Sequence, residues 1–245
     1  MKKVFALLAM VSALAFVSCK KDDDNKGGKG DKGKGKTEYV QPIKIDGDFA
    51  DWAALDASKV ATAKTDPDAS HTALKLVKVY ADELFIFVYF EWDTDQTDWV
   101  PGTDHVPFHV YLNSDGDALT GGFSDQFSDA CADACLEGFI YDANGIASYD
   151  PGVYAWEGEP NGSGWGWGEA VLVDGSGLSS GAGVEGKYEF AILREMWPLG
   201  KIADNFSIGF DIQKSWDSVG VLPNAAPTDD NPSGTAPSLQ VVTVK

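Results

Sequence analysis

Cationic charge is what this chain has least of where it would matter. Residues 37–245 carry ten lysine and arginine residues against thirty-four aspartates and glutamates, a net charge of −24. A body this acidic repels nucleic acid and anionic head groups, so neither is an expected partner. Cysteine is nearly absent, with three in 245 residues. Beyond the first ten residues Met196 is the single methionine, and the histidines are His71, His105 and His109. His105 and His109 are four apart with Pro107 between them, which rules out a regular helix. In a strand they stand about 13 Å apart and cannot share one metal. A His/Met haem site is available on paper, but the c-type attachment Cys-x-x-Cys-His is missing. Also missing are Gly-x-Ser-x-Gly, His-Glu-x-x-His and a phosphate loop, which favours a binder over an enzyme. Carboxylates are so many that no glycosidase pair can be assigned.

What is present begins with an address. Lys2 and Lys3 precede an apolar run, Val4 to Val17, broken only by Ser12. Ser18-Cys19 follows, and then Lys20, Lys21, Asp22, Asp23 and Asp24. A basic start, a short apolar stretch and a small residue at the cleavage point make a secretory signal. The run is too short to span a bilayer of roughly 30 Å. Cys19 straight after the small residue resembles a bacterial lipoprotein signal, in which that cysteine is lipidated, although Phe16 stands where leucine is usual. The Lys-Asp-Asp-Asp run is similar to the export signal of Bacteroidetes surface lipoproteins. The resemblance implies an outer-membrane location, lipid-anchored and facing the exterior, with other outer-membrane uptake proteins as possible neighbours. Residues 19–36 then read as a flexible glycine- and lysine-rich tether with a reach of roughly 20–25 Å. Residues 37–245 are long enough for one sizeable domain.

Cys131 and Cys135 are the remaining pair. Outside the cytoplasm an isolated pair is expected to close a small disulfide loop. A zinc half-site is the alternative, although no histidine lies within ten residues on either side.

The domain lacks long helical periodicity and is rich in short β-type runs separated by turns. Ile43–Ile45, Ala73–Tyr80, Leu84–Trp92, Val106–Leu112 and Leu136–Tyr141 read as strands. Val153–Trp156, Trp165–Val173, Lys187–Leu193, Phe206–Gln213 and Leu239–Val244 follow. Leu84–Trp92 (LFIFVYFEW) is apolar enough to be buried on both faces. Asp51–Leu55 and Arg194–Trp197 read as single helical turns, and residues 217–238, with four prolines, as a long surface loop. The economical fold is all-β, an antiparallel β-sandwich. The runs IDGDFADWAAL, ALKLVKVYADELFIFVYFEWD, HVYLNSDGDALTGG, ADACLEG and YEFAILREM, in that order, resemble family 9 carbohydrate-binding modules and their DOMON-like relatives. That resemblance implies a sandwich and, less directly, a glycan or polysaccharide ligand.

Two constellations follow. Asn113, Asp115 and Asp117 alternate in NSDGDALTGG, so their oxygens can converge on one hard cation if the loop curls. The resemblance brings Asp133 and Glu137 near this loop and adds Asp133, with the Leu119 carbonyl, to a calcium site. A solvated Asx turn is the other reading. The second constellation is aromatic. Tyr154 and Trp156 are two apart, as are Trp165 and Trp167, around a turn at Pro-Asn-Gly-Ser-Gly, so each pair shares a strand face. Gly164, Gly166 and Gly168 leave the opposite face bare. With Trp99 in a polar loop, these rings are the candidates for stacking on sugars, their other reading being ordinary core. Two functions therefore stand: a surface lipoprotein that captures carbohydrate, or a non-catalytic subunit of an outer-membrane complex with no sugar site of its own.

Overall fold

The computed structural model of the chain describes residues 39–97, 105–123, 125–129, 131–141, 146–147, 152–172, 179–196 and 200–245. Cys19, the tether and Trp99 lie outside them. Two antiparallel sheets face one another. The strands in chain order are β1 (Ala61–Lys64), β2 (Leu74–Ala81), β3 (Phe85–Trp92), β4 (His105–Asn113), β5 (Ala134–Tyr141), β6 (Ile146–Ala147) and β7 (Gly152–Ala155). They continue as β8 (Val171–Leu172), β9 (Ser179–Val184), β10 (Lys187–Leu193), β11 (Glu195–Met196), β12 (Gly200–Lys201), β13 (Asn205–Lys214), β14 (Asp217–Leu222) and β15 (Leu239–Val242). One sheet runs β1-β2-β3-β10-β9-β6 and the other β14-β13-β4-β5-β7-β8, with β15 beside the first half of β13. Residues Gln41–Lys245 form one compact unit.

The period-two alternation of the strands builds the core. Ile86, Val88, Phe90 and Trp92 of β3 meet Val106, Phe108, Val110 and Leu112 of β4 and Phe206, Ile208, Phe210 and Ile212 of β13 between the sheets. The intervening residues of β3, Phe87 and Tyr89, face out and are covered by Ile43, Phe49 and Trp52. This is why LFIFVYFEW has no polar face: a short helix, α1 (Ala50–Ala54), roofs the outer side of β3. Its dock is Glu189 of β10. The Glu189 carboxylate accepts from Trp52 Nε1 at 2.9 Å, Gly47 N at 2.9 Å and Asp46 N at 3.1 Å. Burial pushes its pKa up, while these donors oppose that shift. The run IDGDFADW is thus a turn and a helix held by one buried acid.

The chain's one arginine, Arg194, is buried. Its guanidinium donates to the carbonyls of Asp82, Ile202 and Ala203 and to the Asp204 carboxylate. It belongs to the framework and is not free to meet a ligand.

Several expected elements differ. Ile43–Ile45 is not a strand. Of the expected helical turn Arg194–Trp197, the described residues Arg194–Met196 are not helical, since Glu195–Met196 pairs with Gly200–Lys201 instead, and Trp197 lies outside the described residues. The expected loop 217–238 begins with β14, which forms a tight hairpin on β13. The expected disulfide is absent, and Cys131 and Cys135 are both free and buried. The reason is backbone geometry. Ala132 bridges Gly122 and β5 starts at Ala134, so the segment is extended. Four extended residues separate the two Cα atoms by about 13 Å, whereas a disulfide needs roughly 4.4–6.8 Å.

Candidate functional site

The outer face of the β4–β5 sheet carries the chemistry. Register places Glu137 opposite His109 and Gly152, His109 opposite Asp211, and Cys135 opposite Tyr111 and Tyr154. Alternation therefore puts Tyr111, His109, Glu137, Phe139, Tyr154, Asp211 and Gln213 on this face, because their neighbours Val110, Phe108, Leu136, Val153, Phe210 and Ile212 fill the core.

One end of the face is roofed. Phe123 stacks on Tyr111 with centroids 4.7 Å apart, and Phe127 and Trp167 close over the same ring at 5.8 Å and 5.9 Å. The other end is open. There the Trp165 ring stands 63 % exposed and edge-on to Tyr154, centroids 6.0 Å apart at 76°. One register step along the strands from the Tyr111–Cys135–Tyr154 row lies a polar relay. His109 Nε2 is 3.1 Å from Glu137 Oε2, while Tyr111 Oη and Gln213 Nε2 approach His109 Nδ1 at 3.1 Å and 3.2 Å. The Gln213 amide nitrogen can only donate, which makes Nδ1 the acceptor and Nε2–H the donor to Glu137. Burial lowers the His109 pKa, against the pull of Glu137, in keeping with a neutral ring. Gln213 Nε2 also donates to Asp211 Oδ2 at 3.0 Å, as does Ser218 Oγ at 2.8 Å. Burial pushes Asp211 up to about 7. Burial first, and then the neighbouring Glu137 carboxylate, raises the Tyr154 phenol. Glu137 is therefore a carboxylate aimed by His109, 22 % exposed, beside an accessible aromatic pair.

The sequence-predicted aromatics divide. Trp165 and Tyr154 belong to the open end. Trp167 is 6 % exposed and packs edge-on to Trp156 at 5.0 Å and against Phe123 at 5.5 Å, so it is core. The expected strand Trp165–Val173 is reduced to a Trp156–Trp167 bridge and β8, so no strand face joins the two tryptophans; the loop carrying Phe123 covers Trp167 and leaves Trp165 exposed. Trp156 is half-buried, and its Nε1 donates to the Glu159 carbonyl at 3.1 Å. Of the three glycines expected to bare one face, Gly166 makes room for this ring and Gly168 for Glu157, while Gly164 borders open space. A Cβ on Gly122 or Gly166 would lie 2.3 Å or 2.6 Å from Trp156 ring carbons. Asp125 Oδ2 accepts from Gly164 N at 2.6 Å, pinning the residue before Trp165. Asp125 also lines a polar cleft of about 180 Å³ with His71, Gln126, Asn224 and Thr235.

The Asn113–Thr120 loop does curl. Asn113 Oδ1 accepts from Gly116 N at 2.8 Å and Asn113 Nδ2 donates to the Asp117 carbonyl, so this side chain latches the loop. Asp117 Oδ1 accepts from Leu119 N, and Thr120 Oγ1 donates to the Asp115 carboxylate. Asp133 Oδ2 takes Ser114 N at 2.7 Å. Burial first, then the Asp115 charge, raises the Asp133 pKa. The loop thus brings Asp115, Thr120 and Asp133 together and turns Asn113 and Asp117 to its own backbone. Glu137, four extended residues beyond Asp133, is about 13 Å away along β5 and belongs to the other site. Among the described residues no three His, Cys, Asp or Glu side chains group closely enough to hold a metal ion by themselves.

Trp216 escaped the sequence reading. It is 56 % exposed at the tip of the β13–β14 hairpin and sits edge-on to Phe139, centroids 5.9 Å apart at 88°. Lys-Ser-Trp-Asp puts tryptophan where Asn-Gly is usual in a two-residue turn, so no ordinary turn signal marks the hairpin.

No protein-family model matches the chain, and no curated protein does. Among solved structures it is similar to a family 9 carbohydrate-binding module from Caldicellulosiruptor kristjanssonii in complex with cellotriose. The TM-score is 0.37 and the identity 12 %, over 84 % of this chain and 90 % of that one. The functional argument therefore rests on this chain's own residues.

Proposed function

We propose that the domain captures carbohydrate, and that the observation carrying this reading is the Tyr154–Trp165 pair beside Glu137. An exposed tryptophan ring offers a flat apolar surface to the C–H face of a pyranose. An adjacent carboxylate, fixed by His109, accepts from its hydroxyls. A few oriented polar groups beside an apolar contact surface are the usual composition of a small-molecule site. The −24 charge of residues 37–245 makes neutral glycans the favoured class. Nothing in the relay requires chemistry on the ligand, and the domain is read as a binder without catalysis.

The address of the protein is part of the same proposal. Lipidation at Cys19 would hold it to the outer membrane, and the tether would let the domain sample polymers outside the cell. Calcium is proposed as a stabiliser of the Asn113–Thr120 loop. Support comes from Asp115 and Asp133, whose mutual repulsion a divalent cation would relieve, with the Thr120 hydroxyl as a further oxygen.

The test is affinity electrophoresis through gels containing neutral polysaccharides: β-glucan, xylan, galactomannan and α-glucan. Retardation by at least one is expected. No retardation by any, together with co-isolation of an outer-membrane protein, would instead favour the docking subunit.

A further inference from the structure

The geometry points to a second stacking platform, Trp216 on Phe139, which makes this face a site for an extended neutral glycan chain of more than one sugar unit. The inference rests on the carbohydrate reading above and specifies its ligand.

The first observation is placement. Cys135, Glu137 and Phe139 follow one another on the outer face of β5. Tyr154 lies opposite Cys135 and carries Trp165. Phe139 carries Trp216. Glu137 therefore sits midway between two edge-on aromatic pairs, each ending in an exposed tryptophan. Their anchors on β5 are four residues apart, about 13 Å. That span exceeds a single sugar ring, so a chain of several sugars matches the spacing of the two pairs better than a monosaccharide does.

The second observation is strain. Ser215 and Trp216 have φ of +49° and +72°. A two-residue turn with both φ positive is type I′, which selects asparagine and glycine. A bulky tryptophan there is an outlier that weakens folding when nothing offsets it. Folding alone would favour glycine at this position. The Phe139 contact recovers part of the cost, yet more than half of the Trp216 side chain remains open to solvent. A strained residue whose ring is presented outward, against Phe139 two residues along β5 from the carboxylate aimed by His109, is placed for a ligand.

The full-length protein is titrated calorimetrically with cello-, xylo-, manno- and malto-oligosaccharides from the disaccharide to the hexasaccharide. Affinity is expected to rise with length in the series whose polymer retards the protein. Trp216→Ala should weaken the hexasaccharide about tenfold or more, as losing an interface anchor does, and leave the disaccharide unchanged. Trp165→Ala should weaken both. Trp216→Gly, which removes the strain, should bind like Trp216→Ala without lowering the melting temperature, and this separates ligand contact from folding. If wild-type protein binds an oligosaccharide but Trp216→Ala keeps full hexasaccharide affinity, the second platform is wrong and the first stands. If no series and no polymer binds, the carbohydrate reading itself falls, and this inference with it.

Discussion

At Asp211 a carboxylate is sealed under the outer face of the sheet, with Gln213 and Ser218 as donors and His109 Nδ1 3.9 Å away. Burial raises it to about 7, against roughly 3.9 in an unfolded chain. A group whose folded pKa lies above its unfolded value adds stability that is complete below the unfolded pKa. That stability is lost as pH rises through the folded one. Wild-type stability should therefore fall between about pH 4 and pH 8 on account of this residue. The size is a few kcal/mol at most, since each pKa unit is worth about 1.4 kcal/mol. Tyr111, Cys135, Glu137 and His109 surround the same pocket. Of these, His109 works against Asp211: burial lowers its folded pKa, so its contribution to stability rises with pH up to about 6.5, the value of an unfolded histidine. Asp211→Asn should remove this fall, so the stability difference between wild type and variant should decline across that range. Urea unfolding of both proteins across that pH range measures it, and parallel curves would show that Asp211 is ionised throughout. The residue matters to the site because Asp211 orients Gln213, Gln213 addresses His109, and His109 aims Glu137.

The Asn113–Thr120 loop and the β13–β14 hairpin are the elements on which sequence and structure part most usefully. Alternating Asn113, Asp115 and Asp117 announces a curled loop, and the loop is there. Which oxygens converge was hidden, because Asn113 and Asp117 spend theirs on Gly116 and Leu119, a choice made by backbone conformation. If calcium holds Asp115 against Asp133, EDTA should lower the melting temperature and added calcium restore it; melting curves that overlay in both conditions would remove calcium from the account. The sandwich itself was legible through Leu84–Trp92 and the strands around it, whose alternation reports burial directly. The hairpin was not. Trp216 makes a turn against local preference, so a reading based on turn residues ran Phe206–Gln213 straight into a loop. Burial of Trp167 was equally hidden, since it depends on Phe123, some forty residues earlier. The cysteine pair misled for a related reason: spacing says nothing about whether the intervening chain is extended.

For the whole molecule, charge and the proposed Cys19 anchor would set the surroundings in which the site works. A strongly acidic domain on a short, slightly basic tether suits neutral polymers near a membrane surface. Cys19→Ser should abolish radiolabelled palmitate incorporation and shift the protein from the membrane fraction to the soluble one. Persistent labelling of that variant would contradict the lipoprotein assignment. The central claim, however, is that Trp165 is a ligand platform and not a stray surface ring. Calorimetric titration of wild type and Trp165→Ala, using the neutral polysaccharide that retards the wild type, tests it most directly. The variant should lose about 2 kcal/mol or more of binding free energy, as buried aromatic anchors do, while its stability changes by about 1 kcal/mol or less. Equal affinity in the two proteins, with both folded, would contradict the account.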